Sequence, residues 1–294
     1  MNIKELVELF IPPIFVKLWR RLFFTKPVGG LSTICNITRN RENFIVIGNG
    51  PSLLDSLNEL NLGDKECVAV NHFCETDYFV AVKPKYYLIA DPAYWGDIDD
   101  YADWLKTKIL RFIDFFVNKT TWDINLIVPS VAMGSEFLNR IKENRFIHVF
   151  FYNTTNVVSP TSLQEKYEAW DKNLISPPAQ TCLNTCVWLG IFLRYKKIYL
   201  IGADTTWIEL LHVDQETNEV YTIDSHFYGK KKVPLYADVE GKIPQKLHDE
   251  LNCISGALSQ YWELKKYADY AGVKVYNASK YSLIDAYERK KEIT

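Results

Sequence analysis

The run Ile45-Val46-Ile47-Gly48-Asn49-Gly50-Pro51-Ser52-Leu53 joins an apolar strand to a helix through a turn of small residues. Gly48 and Gly50 permit positive φ and let a ligand approach the main chain. The helix opened by Pro51 or Ser52 would turn its first N–H groups and the positive end of its dipole toward that ligand. The expected ligand is anionic and nucleotide-like. Neither GxGxxG nor GxxxxGK[ST] is present, so neither the dinucleotide nor the P-loop fingerprint applies. A tight strand-to-helix turn without a ligand is the plainer alternative.

Three more strand ends carry polar groups. Val68-Ala69-Val70-Asn71-His72 and Leu88-Ile89-Ala90-Asp91-Pro92 would set Asn71 and Asp91 beside the first turn, within reach of a ribose, base or sugar. Either residue alone reads equally as a cap or turn residue. Ile198-Tyr199-Leu200-Ile201-Gly202-Ala203-Asp204 places Gly202 and Asp204 at a fourth end, where Asp204 would bind hydroxyls or a cation, or cap a turn. Farther on, His226 in Ser225-His226-Phe227-Tyr228 is flanked by Lys230, Lys231 and Lys232. An imidazole there could take a proton from an attacking hydroxyl at neutral pH, or it is a solvated loop residue. His148 reads as a strand residue, and His212 and His248 have no supporting constellation. Asp97, Asp99 and Asp100 have DxD spacing but read as the cap and first-turn acids of a helix, and no metal is expected.

The elements that must hold these residues follow from the hydrophobic pattern. Phe44–Ile47, Cys67–Val70, Tyr86–Ile89, Leu126–Val128, Ile147–Phe151, Ile198–Ile201 and Val273–Tyr276 read as strands, several of them apolar throughout. Helices are predicted over about 52–61, 98–117, 134–143, 181–195 and 247–271. In the last, Leu251, Ile254, Leu258 and Trp262 form one expected buried stripe that Gly272 ends. Alternating strand and helix imply a doubly wound, mostly parallel Rossmann-like α/β sheet, with ligands at the carboxyl ends of its strands. Residues 205–246 break the alternation and are expected to form an irregular functional lid within a catalytic domain spanning 27–294.

At 294 residues the chain fits one large α/β unit, and 48% apolar with 24% charged residues describes an ordinary folded protein. Lys plus Arg at 34 against Asp plus Glu at 36 leaves −2, so no global basic field exists to hold nucleic acid. Six cysteines without CxxC or zinc spacing read as reduced, mostly core residues, as in a cytosolic protein. Four Asn-x-Ser/Thr sequons, at Asn36, Asn118, Asn153 and Asn277, read as chance.

Residues 1–26 mix aromatic and aliphatic side chains with five cations against two carboxylates, a net +3. The longest uncharged run, Leu9 to Val16, has 8 residues and holds Pro12 and Pro13, too short for the roughly 20 residues of a spanning helix. Glu5 and Glu8 before the apolar stretch also fit a signal peptide poorly. Two readings remain: an amphipathic helix on an anionic cytoplasmic leaflet, or one packed on this domain or on a second copy of the chain.

Taken together, Gly48-Asn49-Gly50-Pro51-Ser52, Asn71 within VNHF, the stretch Tyr195 to Asp204 and Ser225-His226-Phe227-Tyr228-Gly229 resemble the bacterial lipooligosaccharide sialyltransferases, in the same order. The resemblance implies a GT-A-like sialyltransferase variant of the Rossmann-like fold. It implies a CMP-sugar donor held by the first motif and Asn71, His226 as the base for the acceptor hydroxyl, and inverting, metal-independent transfer without a cofactor. The chain departs from that family at three places. Asp91 stands for a second strand-end asparagine, Ala179 or Gln180 for an arginine, and Thr205, Thr206 and Trp207 for tyrosines near the leaving phosphate. Lys230 to Lys232 or Tyr228 are the expected substitutes for those phosphate contacts.

The resulting expectation is a cytoplasmic, membrane-peripheral glycosyltransferase acting on a surface-glycan or lipid-linked acceptor. Asn49, Ser52 and Asn71 would hold the nucleotide, and Asp204 would orient sugar or acceptor. Two alternatives stand beside it: an ATP- and magnesium-dependent pyrophosphokinase with Asp91 and Asp204 as metal ligands, and a non-catalytic module recruited to membranes.

Overall fold

Alternate residues of each central strand face opposite layers, and that period builds the molecule. A computed structural model describes residues 30–37, 41–59, 62, 65–154, 160, 162–226, 229–238 and 241–293. The predicted amphipathic helix over 1–26 lies outside them. All seven predicted strands are present: β1 (Asn43–Ile47), β2 (Glu66–Val70), β3 (Tyr86–Leu88), β4 (Ile124–Pro129), β5 (Ile147–Tyr152), β6 (Lys197–Ile201) and, after the insertion described below, β10 (Lys274–Asn277). With a two-residue edge strand, β11 (Glu288–Arg289), they form one eight-stranded sheet of order β11-β10-β6-β1-β2-β3-β4-β5. Every pairing within it is parallel.

Phe44 and Val46 of β1 enter one apolar layer, while Ile45 and Ile47 enter the other. The first layer is covered by α1 (Leu31–Ile37), α6 (Leu163–Asp171), α7 (Cys182–Phe192) and α8 (Leu247–Ala271). The second is covered by α2 (Leu53–Glu59), α4 (Asp103–Lys119) and α5 (Glu136–Ile141) together with Phe79 of the short α3 (Tyr78–Val82). A parallel sheet buried on both faces is the doubly wound α/β arrangement the strand composition predicts. Helix α4 shows how the burial works. Leu105, Ile109, Phe112, Ile113 and Phe116 share its inner face, and Phe112 stacks on Phe116 at 5.5 Å.

Helix α4 begins at Asp103, later than the spacing predicts, because Asp97 caps a separate 3₁₀ turn, Ile98–Asp100, by accepting the Asp99 N–H. The expected stripe of α8 is rotated. Ile254 is buried, but Leu251 and Trp262 are exposed, and the inner face runs Ile254, Ala257, Tyr261, Leu264, Tyr267 and Ala268. Trp262 turns outward to donate its indole N–H to Asp285 at 3.0 Å, and the tyrosines take the inner positions.

The insertion is not irregular. β7 (Leu211–Val213), β8 (Val220–His226) and β9 (Gly229–Pro234) form a separate antiparallel sheet of order β7-β8-β9. Its alternation is hidden in the sequence because Lys, Asp and Ser occupy positions of a sheet too small to bury a continuous face. Among the described residues no helix is long and apolar enough to cross a membrane.

Candidate active site

Strands β1 to β5 step outward in one direction, and β6 then returns to the opposite side of β1. The order therefore reverses between β1 and β6, which is where a doubly wound sheet opens a crevice at its carboxyl edge. Both loops leaving these strands are the motifs singled out in the sequence. The Gly48 and Gly50 N–H groups donate to the Ile201 and Gly202 carbonyls, each at 2.8 Å, continuing the β1–β6 pairing into the turn. The glycines are required by that approach. A Cβ on Gly48 would stand 2.3 Å from the Gly202 oxygen, and Gly202 itself sits at φ +59.

Asp204 closes the turn. Its buried carboxylate accepts the Ser52 N–H at 2.9 Å and the Ser52 hydroxyl at 2.5 Å, directly before α2. Burial raises its pKa against the opposing effect of those Ser52 hydrogen bonds. Two amides at the start of α2 are taken by the chain itself: the Ser52 N–H by the Asp204 carboxylate and the Leu53 N–H by the Gly50 carbonyl.

Next along the edge, Asn71 follows β2 directly, in the left-handed region at φ +50. Its carbonyl accepts the Tyr87 hydroxyl at 2.5 Å, and Tyr87 in turn accepts the Cys74 N–H at 2.9 Å, so a phenol buried under the edge holds the turn. The Asn71 carboxamide oxygen accepts from Cys182 Sγ at 3.1 Å. Burial pushes the Cys182 thiol up to about 12, so it remains a protonated donor. Asn49 reaches across from the β1 end and donates to the Val70 carbonyl at 3.1 Å. Asp91, after β3, caps the Pro92–Tyr94 turn by accepting the Ala93 N–H at 2.9 Å.

These ends enclose a cleft of about 620 Å³. Asn49, Gly50, Asn71, Asp91, Gly202 and Asp204 all line it, as sequence spacing predicts, whereas Gly48 and Ser52 support its wall from behind. Ala179, Gln180, Thr205, Thr206 and Trp207, the departures noted above, line the same cleft. His226 ends β8, whose Thr222 is on the cleft wall. Four residue steps along the strand separate the two, about 13 Å at the usual rise. Tyr228 lies outside the described residues.

Two lining residues carry chemistry that sequence reasoning missed. His72 Nδ1 lies 2.5 Å from Glu75 Oε1, and His72 Nε2 lies 3.2 Å from the Tyr94 hydroxyl. Arg111 holds the other Glu75 oxygen at 2.6 Å. Burial would raise the Glu75 carboxyl, but His72 and Arg111 outweigh it and hold the group below its usual range. Burial, with Asp91 nearby, pushes the Tyr94 phenol well up. The one signal in the sequence is the three-residue spacing of His72 and Glu75, which suits a side-chain pair on a single helical turn.

Sheet, switch point and polar cleft together define a Rossmann-like α/β protein with a polar cleft at the carboxyl edge of its sheet. No protein-family model matches the chain, and no curated protein matches it. Among solved structures it is similar to the MAf glycosyltransferase of Magnetospirillum magneticum AMB-1, at 12% identity and a TM-score of 0.47 over 87% of this chain and 34% of that one. The chain thus spans about a third of that protein. It is also similar to two Campylobacter jejuni proteins. One is the monofunctional alpha-2,3-sialyltransferase Cst-I, at 16% identity and TM-score 0.40 over 85% of this chain and 80% of that one. The other is the sialyltransferase CstII in complex with a substrate analogue, cytidine-5'-monophosphate, at 14% identity and TM-score 0.42 over 86% of each chain.

Proposed function

We propose that the chain is an inverting, metal-independent glycosyltransferase that moves a sugar from a nucleotide donor, with CMP as the expected nucleotide and sialic acid or a related acidic sugar as cargo. The acceptor is a cell-surface glycan or a lipid-linked saccharide. The observation that carries the reading is the cleft at the β1/β6 switch point, where Asn49, Asn71, Asp91 and Asp204 arrive from four strand ends. Carboxamides that both donate and accept suit a base and ribose, and a cleft of about 620 Å³ holds a nucleotide sugar. Asn49 and Asn71 bind the nucleotide in this reading, and Asp204 orients sugar or acceptor. Ser52 acts through Asp204. His226, on the β-sheet insertion, takes the acceptor proton when the insertion closes. Residues 1–26 bring the enzyme to an anionic membrane surface.

A thermal-shift panel of CMP, UDP, GDP and ATP, each with and without magnesium, tests the reading, because a ligand of the native state raises the midpoint. CMP should raise it without magnesium. A rise with ATP that needs magnesium, and none with CMP, would replace the reading with a phosphoryl-transfer enzyme. His226→Ala should lower transfer about 100-fold or more while leaving CMP binding intact. Deleting residues 1–24 should abolish flotation with anionic liposomes.

A further inference from the structure

Transfer of a sugar from a nucleotide leaves negative charge on the phosphate oxygen that departs, and that end of the reaction needs its own donors. The cleft offers neutral donors at Gln180, Thr181, Thr205 and Thr206 but few cations. Among its described lining residues Asp91, Asp204 and Glu250 are acidic, while only Lys108 and His72 are basic. The Ser52 amide just ahead of α2 is already taken by Asp204.

Beside them, a carboxylate, an imidazole and a phenol stand in series. We infer that Tyr94, backed by His72 and Glu75, donates the hydrogen bond and proton to the departing phosphate oxygen, an inference that rests on the glycosyl-transfer reading. Glu75 accepts hydrogen bonds only, so His72 Nδ1 carries a proton toward it at 2.5 Å. The protonation state of Nε2 then sets the direction of the 3.2 Å contact with Tyr94. A bare Nε2 accepts the phenolic O–H. A protonated Nε2 donates to the phenol oxygen instead and turns the Tyr94 O–H toward the cleft, where an anion favours that state.

In the step itself the bond between the sugar carbon and the phosphate oxygen breaks, and its electron pair stays on oxygen. The Tyr94 proton passes to that oxygen, and the Nε2 proton of His72 passes to Tyr94. His72 is left neutral with Nδ1–H still on Glu75. The proton surrendered by the acceptor hydroxyl restores the imidazolium through solvent, so the cycle closes. Other charged or titratable groups around the couple are Asp91 after β3, Cys74 in the turn after β2, Cys182 at the start of α7, and Lys108 and Arg111 on α4. Phe112 and Phe137 pack on the Tyr94 ring at 5.1 and 5.3 Å and keep the phenol in place.

Acceptor-independent release of CMP from CMP-N-acetylneuraminic acid tests the couple without knowledge of the acceptor. Tyr94→Phe keeps the ring and its packing, and His72→Gln keeps a polar side chain of similar reach. Each should lower kcat about 100-fold, with the donor KM within about threefold of wild type, since a lost proton donor acts on the chemical step. Glu75→Gln should show the same split more weakly. If wild type releases CMP and both Tyr94→Phe and His72→Gln stay within about threefold of its kcat, or if the loss is entirely in KM, the inference is overturned and the glycosyl-transfer reading stands. A wild-type chain that releases nucleotide from no CMP-, UDP- or GDP-sugar, and that no nucleotide stabilises, overturns both. Thermal midpoints of the variants within a few degrees of wild type establish that the loss is not unfolding. Should one variant fail that criterion, the other carries the test.

Discussion

The carboxylate of Asp204 and the amide and hydroxyl of Ser52, 152 residues apart in sequence, meet at 2.9 and 2.5 Å and tie the β6 exit to the start of α2. The contact joins the two glycine-rich loops into one wall of the cleft, and it takes the Ser52 amide away from any ligand there.

Asp204→Ala strips a buried amide and hydroxyl of their acceptor and should cost about 1–3 kcal/mol in urea unfolding. Asp204→Asn, which keeps one carbonyl oxygen, should lose less. Equal stability of Asp204→Ala and wild type would remove the contact from the account of the fold.

The same residue predicts a pH dependence. Its folded pKa is raised by burial, so between the unfolded and folded values the native state binds more protons. Stability from this group therefore falls as pH rises through that interval, the reverse of a salt-bridged carboxylate. The stability of wild type relative to Asp204→Asn should decrease as pH rises above the ordinary Asp value of about 3.9. A relative stability that rises there would show that the Ser52 hydrogen bonds outweigh desolvation.

Gly48→Ala places a Cβ 2.3 Å from the Gly202 carbonyl oxygen, a backbone atom that has no rotamer through which to yield. The β1 and β6 exits must separate, at a cost of about 1–3 kcal/mol for an overpacked interior. Urea unfolding should show this, together with loss of nucleotide-induced stabilisation. A neutral substitution would mean that the two loops are not held as described.

Asn71 separates backbone from chemistry. At φ +50, Asn71→Gly keeps the turn while removing the carboxamide, and it should lower CMP affinity about tenfold with little change in thermal midpoint. Asn71→Ala should lower both, since alanine pays about 1 kcal/mol in the left-handed region. If Asn71→Gly binds CMP as well as wild type by calorimetry, the carboxamide is not a nucleotide contact.

The cysteines report on the cleft. Burial pushes Cys67, Cys74 and Cys182 up to about 12, so almost no thiolate forms at pH 8. Cys253 is exposed and lines the cleft. Iodoacetamide on the native chain should label Cys253 well ahead of these three, and saturating CMP should slow that labelling. Mass spectrometry of tryptic peptides checks both. Rapid native labelling of Cys67 or Cys74 would contradict the burial, and unchanged labelling of Cys253 under CMP would place the nucleotide elsewhere.

The strands were legible because a parallel sheet covered on both faces needs unbroken apolar runs, and Phe44–Ile47 or Ile198–Ile201 have no other economical use. Gly48, Gly50 and Gly202 were legible for a similar reason: where two strand exits touch, a side chain has no room. Less legible were elements stabilised only by neighbours. The inner face of α8 could be Leu251 and Trp262 or Tyr261 and Tyr267 by period alone, and the packing of tyrosines beneath α6 and α7 decided it. The antiparallel sheet of 211–234 was hidden because its strands pair with each other rather than with the core.

What the sequence by itself determined is the α/β layering and the set of polar residues at the strand ends, since both follow from local spacing and from the period of burial. Only the tertiary structure decided what those residues do to one another. Asp204 is tied to Ser52 and Asn71 is braced by Tyr87, while His72 is aligned between Glu75 and Tyr94. Most of those partnerships join residues far apart in the chain, and each depends on distance and angle in three dimensions, which no one-dimensional pattern encodes.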